Sequence, residues 1–174
     1  LSRQGHEVAI CYLTGPALTI PNSKAIDIIG LQIKKSVSGF IKAYFDVRRI
    51  IRSFSPDVVH SHMFHANILA RLVRLSIRIP RLICTAHNTN EGGKLRMFAY
   101  RATARLSDVT TNVSAEAVLA FEAKGAVAPG SMLAVSNGID TERVRPSVAA
   151  RRAWRSKHGV DENTKVIVSI GGLV

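Results

Sequence analysis

A histidine stands directly after an apolar, strand-like run in the stretch RLICTAHNTNEGG, residues 81–93. The run ends at Ala86, and His87 opens a polar segment that finishes with two glycines. In open α/β sheets, ligands bind beyond the carboxyl ends of the strands. A neutral imidazole donates a hydrogen bond from one ring nitrogen and accepts one at the other, which suits a ligand hydroxyl or phosphate oxygen. Either His87 bonds a nearby carbonyl and holds the loop, or it contacts a ligand and is the first candidate for a catalytic residue.

Other residues near His87 and at a predicted helix start offer groups that bind ligands. Asn88 and Thr89 carry short hydrogen-bonding side chains next to the histidine. Gly92 would let the loop backbone approach a ligand closely, because it has no Cβ. Ser114 begins the segment SAEAV, where it would either cap a helix or lie beside backbone N–H groups that bind a phosphate. Both interpretations of Ser114 stay open, and it is included with the candidate substrate-binding residues.

The segment HSHMFH contains a second group of histidines. His60 and His62 alternate onto one face at the end of a predicted strand, and H-x-H on a strand is a known zinc-ligand pattern. Such a site needs further ligands, and His87 could supply one. A carboxylate is harder to find, because Asp57 and Asp108 open their strands at the opposite end. A metal-dependent hydrolase is therefore kept as an alternative, and no metal site is assigned.

The chain is strongly basic, with 24 Lys and Arg residues against 12 Asp and Glu residues and a formal net charge of +12. Anionic membrane surfaces attract such residues by about 1 kcal/mol each. A basic nucleic-acid-binding module is a second alternative, but no helix-turn-helix, zinc-finger or RNP pattern accompanies the charge, and nucleic acid is not expected as a partner. The predicted membrane or acceptor patch consists of two helical stripes: Arg71, Arg74, Arg78 and Lys94, Arg101, Arg105.

Several protein classes lack their sequence signature here. There is no Walker A loop, G-x-G-x-x-G, nucleophile elbow or C-x-x-C motif, which argues against kinases, dehydrogenases and serine hydrolases. Cys11 and Cys84 lie in apolar runs and are expected to be buried free thiols in a reducing compartment. No run approaches the ~18 apolar residues of a membrane span, and the pattern LSRQGHEV is not the one expected of a secretory signal. These features predict a cytoplasmic location.

Short Val- and Ile-rich runs alternate with amphipathic segments along the chain. The predicted strands are 7–14, 25–33, 56–62, 81–86, 108–114, 131–140 and 164–174. The predicted helices are 36–54, 65–77, 95–106, 114–126 and 149–160. This alternation predicts an α/β fold with a Rossmann-like parallel sheet and helices on both faces.

Both ends of the chain carry the signs of a cut between elements. LSRQG has the pattern of a helix end, so the strand that should precede that helix is expected to be missing. KVIVSI, the last predicted strand, would leave an unpaired apolar edge if nothing followed it. We therefore expect a piece of a longer two-domain chain whose first strand is absent.

The order of LSRQGHEV, PDVVHSH, TAHNT, SDVTTNVS, VSNGIDTERVRP and VIVSIGGLV resembles the N-terminal half of a family 4 (group 1) retaining glycosyltransferase of GT-B architecture. The resemblance implies two Rossmann-like domains that face a cleft, one holding the acceptor and one binding a nucleotide-sugar. Residues 1–146 would form the acceptor-side domain, incomplete at its start. Residues 147–174 would form a linker helix and the first strand of the truncated donor domain.

The resemblance also implies a reaction and roles for particular residues. Such enzymes move a sugar from a nucleotide-sugar to a glycan or lipid-linked acceptor with retention, usually without a metal ion or other cofactor. A histidine at the position of His87 would sit against the donor sugar. The turn that contains Asn137 and Gly138, where a positive φ would suit the glycine, would order the floor of the cleft. The family's glycine-rich loop and its donor-gripping Arg, Lys and Glu residues are missing, so this piece alone is expected to be inactive.

The same resemblance suggests where the enzyme works. Enzymes of this type often build envelope glycans, such as lipopolysaccharide or exopolysaccharide, at the cytoplasmic membrane. Together with the basic stripes, this predicts a peripheral protein on the inner face of that membrane.

Overall fold

The computed structural model describes residues 1–16, 20–21, 24–34 and 36–168. The strands are β1 (Val8–Tyr12), β2 (Ile26–Gly30), β3 (Val58–His62), β4 (Arg81–Ala86), β5 (Val109–Asn112) and β6 (Leu133–Ala134). The helices are α1 (Val37–Phe54), α2 (Phe64–Arg74), α3 (Lys94–Thr103), α4 (Ala115–Ala123) and α5 (Val148–Lys157), with 3-10 turns at Ser2–Gln4 and Ala104–Leu106.

All strand pairs among the described residues are parallel. β1 pairs with β2, and β3, β4, β5 and β6 form a four-stranded sheet in that order. Helices connect the strands, as parallel pairing requires. The predicted α/β class with a Rossmann-like parallel sheet is therefore confirmed.

The two sheets are joined by side-chain packing. Within the described residues, no backbone hydrogen bond connects the β1–β2 pair to the four-stranded sheet. Leu13 and Ile33, which flank that pair, pack instead onto an apolar cluster built from α1, α2 and β4. Buried members of the cluster include Ala43, Val73 and Leu82.

Helix α1 shows how local sequence fixes an element. The Ser36 side chain accepts a hydrogen bond from the Gly39 N–H and so caps the first turn. The helix ends where Ser55 adopts a left-handed conformation directly before Pro56, whose ring cannot continue a helix. These bounds agree with the predicted helix 36–54.

Two predicted strands differ from the structure. The predicted strand 131–140 contains only the two residues of β6, because β5 offers pairing partners only at Thr111 and Asn112. In the predicted strand 164–174, residues 165–168 are not in a strand, and residues 169–174 lie outside the described residues.

Only one of the two cysteines matches its prediction. Both are free, and Cys84 is buried in β4 as expected. Cys11 on β1 is exposed, because its side chain lines an open cavity and does not pack into the core. The apolar run around Cys11 therefore does not bury its thiol.

The chain divides into two compact units, Leu1–Asn137 and Gly138–Val174. The first contains β1–β6 and α1–α4. The second contains α5, where Ser147 caps the helix and the buried Arg155 guanidinium donates hydrogen bonds to the carbonyls of Asp161 and Thr164.

Arg71 is part of the interior of the first unit. Its side chain is fully buried on α2, and Nη1 donates to the Tyr100 carbonyl at 3.2 Å and to Thr103 Oγ1 at 3.1 Å. Nη2 donates to Thr110 Oγ1 at 3.1 Å. The predicted place of Arg71 in a membrane patch is wrong, because the guanidinium ties α2 to α3 and β5 instead of facing solvent.

We expect Arg71→Lys to lower the free energy of unfolding by more than about 2 kcal/mol, because one ammonium cannot reach the three acceptors that the planar guanidinium satisfies. Arg78 is exposed four residues beyond α2, and Arg78→Lys is the matched control, expected to stay within about 0.5 kcal/mol. Urea unfolding followed by circular dichroism measures both changes. Equal effects of the two substitutions would contradict the buried role of Arg71.

Candidate functional site

The candidate site lies at the carboxyl edge of the four-stranded sheet. In β3 and β4, His62 stands opposite Thr85, and His87 follows two residues later, directly after the end of β4. Parallel pairing therefore brings HSHMFH and TAHNT to the same edge, although 25 residues separate the two histidines in sequence.

Three imidazoles cluster at this edge. Nδ1 of His62 lies 3.0 Å from Nε2 of His87, within hydrogen-bond distance. The ring centroids of His60 and His62 are 4.1 Å apart, which places both on one face of β3 as predicted. Nε2 of His60 is 2.7 Å from Thr85 Oγ1, which is itself 2.7 Å from Thr111 Oγ1. The cluster is thus tied to β4 and β5.

The surroundings favour neutral rings on β3. Burial lowers the pKa of His60, and the nearby charge of His87 lowers it further. Burial also lowers the pKa of His62, with added repulsion from His60 and His87. Both imidazoles are therefore uncharged near neutral pH and can each donate and accept one hydrogen bond.

A buried carboxylate holds the loop that begins at His87. Glu91 is only 5% exposed, and its Oε1 accepts a hydrogen bond from the His87 backbone N–H at 3.2 Å. Its Oε2 accepts from the Tyr100 hydroxyl at 2.9 Å. Burial raises the pKa of Tyr100, so this hydroxyl stays protonated and able to donate.

Asn67, fully buried on α2, completes this network. Its Nδ2 donates to the Thr85 carbonyl at 3.0 Å and to the Tyr100 hydroxyl at 3.1 Å. Its Oδ1 accepts from the Ser61 hydroxyl at 2.7 Å. Sequence reasoning missed Asn67, Tyr100 and Glu91. The one available signal in the sequence was Glu91, an acidic residue four positions after His87 that could hold the loop in place.

Gly92 has a role different from the predicted approach to a ligand. Its φ is +102°, a conformation that favours glycine, and a Cβ there would lie 2.9 Å from Nη1 of Arg96. Arg96 fills this space, and its Nη1 donates to the Glu91 carbonyl at 2.8 Å. The missing side chain therefore admits Arg96, which helps to fix the loop.

Asn88 and Thr89 place their side chains at the surface. The Asn88 carbonyl accepts from Nδ2 of Asn112, and the Thr89 carbonyl accepts from Nζ of Lys124. Both residues are exposed beside His87, while their backbones are tied to β5 and to the end of α4. Their side chains are thus accessible at the candidate site.

The remaining predicted substrate-binding residues follow β5 and β6, the other two strands that end at this edge. The Ser114 hydroxyl accepts from the Ala117 N–H and caps α4, which is one of its two predicted roles. Asn137 and Gly138 are exposed at the junction of the two units. The predicted positive φ of Gly138 is wrong. Seven of the described glycines have a positive φ, and Gly138 is not among them.

The other predicted patch residues are divided between an ion pair and the surface. Nη1 of Arg74 lies 2.8 Å from Oδ2 of Asp108 at the start of β5, so Arg74 is engaged within the unit. The remaining four residues are exposed: Arg78, Lys94, Arg101 and Arg105. No described helix is long and apolar enough to cross a membrane.

A cavity of about 850 Å³ opens beside His62. It is lined by the end of β1, the first turn of α1 and the start of α2, together with Arg96 of α3. Its wall combines apolar side chains such as Phe40 with the polar side chains of His62 and His65. The cavity is therefore suited to a ligand with both apolar and hydrogen-bonding parts.

The histidine cluster does not form a metal centre in the described part of the chain. No group of three or more His, Cys, Asp or Glu side chains there is arranged to hold a metal ion. His60 pairs with Thr85, and His62 pairs with His87. The metal-dependent hydrolase alternative therefore gains no support.

The parallel sheet and its carboxyl-edge site define a Rossmann-like α/β domain. The sequence profile described as Glycosyltransferase Family 4 matches residues 1–143, most of the chain. The chain belongs to this family, and the resemblance seen in its motifs is confirmed.

Comparison with solved structures adds a distant similarity. A protein assigned as a UDP-N-acetylglucosamine 2-epimerase from Listeria monocytogenes is similar over 60% of this chain, with 17% sequence identity and a TM-score of 0.45. The chain spans 29% of the length of that protein. No curated protein sequence matches the chain significantly.

The lowered pKa of His60 predicts a pH dependence of stability. In the unfolded chain a histidine titrates near its ordinary pKa of 6.5, above the value in the folded protein. Below about pH 6.5 the unfolded state therefore binds more protons, and the free energy of unfolding falls as the pH falls.

His60→Gln removes this titrating group while keeping an atom that can bond Thr85. We expect it to weaken the loss of stability between about pH 6.5 and 5. Equal pH slopes in urea unfolding of wild type and variant would contradict this.

Proposed function

We propose that the protein moves a sugar from a nucleotide-sugar donor to a glycan or lipid-linked acceptor, with retention of anomeric configuration and without a metal ion or other cofactor. The family supports the class of reaction. The observation that carries the proposal is the position of His87, held at the carboxyl edge of the sheet by its backbone and by its ring.

In this reaction the bond from the anomeric carbon to the nucleoside diphosphate breaks, and a bond to an acceptor oxygen forms. The acceptor proton ends on the leaving phosphate. His87 would hydrogen-bond a hydroxyl of the donor sugar and position it as charge develops at the anomeric carbon. Asn88 and Thr89 would contact substrate beside it, and the cavity at His62 would receive the acceptor.

The four exposed basic residues support a peripheral location at the inner face of the cytoplasmic membrane and a role in envelope or exopolysaccharide synthesis. Lys94 and Arg101 flank Leu95 and Phe98 on α3, whose side chains are 81% and 65% exposed. Exposed apolar side chains between basic ones are typical of helices that bind the surface of anionic membranes.

We expect Arg101→Glu to weaken binding to vesicles of phosphatidylglycerol and phosphatidylcholine by about 30-fold, because reversing one charge removes roughly 2 kcal/mol. Arg143→Glu is the matched control, since it makes the same change of net charge at an exposed position in the second unit. Sedimentation with these vesicles and with pure phosphatidylcholine measures the effect. Equal losses in both variants would show that membrane binding depends on net charge alone, and this would contradict a role for α3.

The central test is turnover of UDP-, GDP- and ADP-sugars by the full-length protein. We expect one donor to be used, and His87→Ala to reduce kcat by about 100-fold or more, as for loss of a hydrogen bond made in the transition state. His6→Ala, an exposed histidine before β1, is the control and should keep wild-type activity. Activity should also persist in EDTA.

Other results would point elsewhere. Unchanged activity in His87→Ala would remove this residue from the reaction while leaving the family in place. No turnover with any donor, together with one bound zinc per chain, would favour a hydrolase built on His60 and His62. Binding of generic DNA with a steep salt dependence would favour a nucleic-acid-binding module.

A further inference from the structure

The ring of His62 is in direct contact with the ring of His87. We propose that His62 is a positioning residue for His87: its Nδ1 engages Nε2 of His87 and fixes which ring nitrogen of His87 faces the sugar. This inference rests on the proposed function, because it assigns a second residue to the same site.

The geometry indicates which ring nitrogen of His87 bonds the protein and which one is open to a ligand. Nε2 lies 3.0 Å from Nδ1 of His62. Within the described residues, Nδ1 of His87 makes no hydrogen bond. The tautomer of a histidine is set by the hydrogen bond that its other nitrogen makes. The pair with His62 therefore commits Nε2 to the protein and presents Nδ1 to a ligand.

His62 is itself held in place. Its ring contacts that of His60, with 4.1 Å between centroids and an interplanar angle of 34°, and His60 is bonded through Thr85 to Thr111. This series of contacts connects β5, β4 and β3 to the ring of His87. Because Glu91 fixes the backbone of His87 separately, His62 controls the orientation of the ring rather than the position of the loop.

A hydrogen bond between Nδ1 of His62 and Nε2 of His87 requires that only one of these two nitrogens carries a proton. A neutral His62 either donates from Nδ1 or accepts there, and in both cases Nε2 of His87 is occupied. Partial burial of the ring and the neighbouring His60 and His87 lower the pKa of His62, which keeps that ring neutral near pH 7. Repulsion between two charged rings is thereby avoided.

Two substitutions of His62 test whether its hydrogen bond to His87 matters or only the space that its side chain fills. In His62→Asn, an amide atom attached to Cγ takes the place of Nδ1 and can still bond His87. In His62→Gln, the amide lies farther out, near the place of Nε2, and this bond is lost. His62 is exposed, so both variants are expected to fold, which circular dichroism checks. His6→Asn is the matched histidine control.

We expect His62→Gln to reduce kcat for sugar transfer by about 10- to 100-fold, because a misplaced His87 ring costs rate. His62→Asn should recover most of this loss. In histidine-selective ¹⁵N NMR of the full-length protein, the side-chain signals of His87 should shift toward a different tautomer in His62→Gln and stay close to wild type in His62→Asn.

The outcomes separate this inference from the function beneath it. If both the Asn and the Gln variant keep the kcat of the wild type, or if the His87 signals are unchanged in both, the positioning role alone is overturned. Absence of turnover in the wild type with every donor would overturn the proposed function, and the positioning role in that reaction with it. Equal loss in the two variants would show that only the imidazole itself suffices and would overturn the hydrogen-bond assignment.

Discussion

The buried carboxylate of Glu91 is the contact on which the candidate site depends. It is the only acceptor described for the His87 backbone N–H, and it also takes the hydrogen bond of Tyr100. Leaving a buried donor unsatisfied costs about 1–3 kcal/mol, so a loop held this way has one strongly preferred conformation. Asn67 extends the same network to the carbonyl of Thr85, the residue opposite His62. The carboxylate thus joins the loop, α2, α3 and the sheet edge into one rigid site.

Much of this organisation follows from local sequence pattern. Helix α1 was predictable because its apolar period, its Ser36 cap and its stop before Pro56 all lie within about 20 residues. The position of His87 was predictable because a strand end is marked by an abrupt change from apolar to polar residues. The closeness of His62 to His87 follows from parallel pairing of two recognised strands. The family then adds a reaction that no local pattern contains.

The rest could not be predicted because it is decided by contacts between distant elements. Arg71, Arg74 and Arg78 recur at a helical spacing, yet Arg71 is buried, Arg74 is ion-paired, and Arg78 is exposed beyond the end of α2. Spacing shows which residues share a helix face but not what packs against each part of that face. In the same way, nothing near Glu91 in the sequence shows that its side chain turns inward to meet Tyr100. A short strand such as β6 depends on how far its neighbour extends.

Tyr100 lies between Arg71 and Glu91, the two charged side chains that are buried in the described part of the first unit. The guanidinium of Arg71 is 5.3 Å from the centroid of its ring, and the carboxylate of Glu91 is bonded to its hydroxyl. The cation meets the electron-rich face, and the anion meets the acidic proton. In the described interior of this unit, one positive and one negative charge are thus bridged by a single phenol. The described interior around the site therefore adds almost nothing to the net charge of +12, whereas exposed basic residues such as Arg78 and Lys94 lie where water screens their charge.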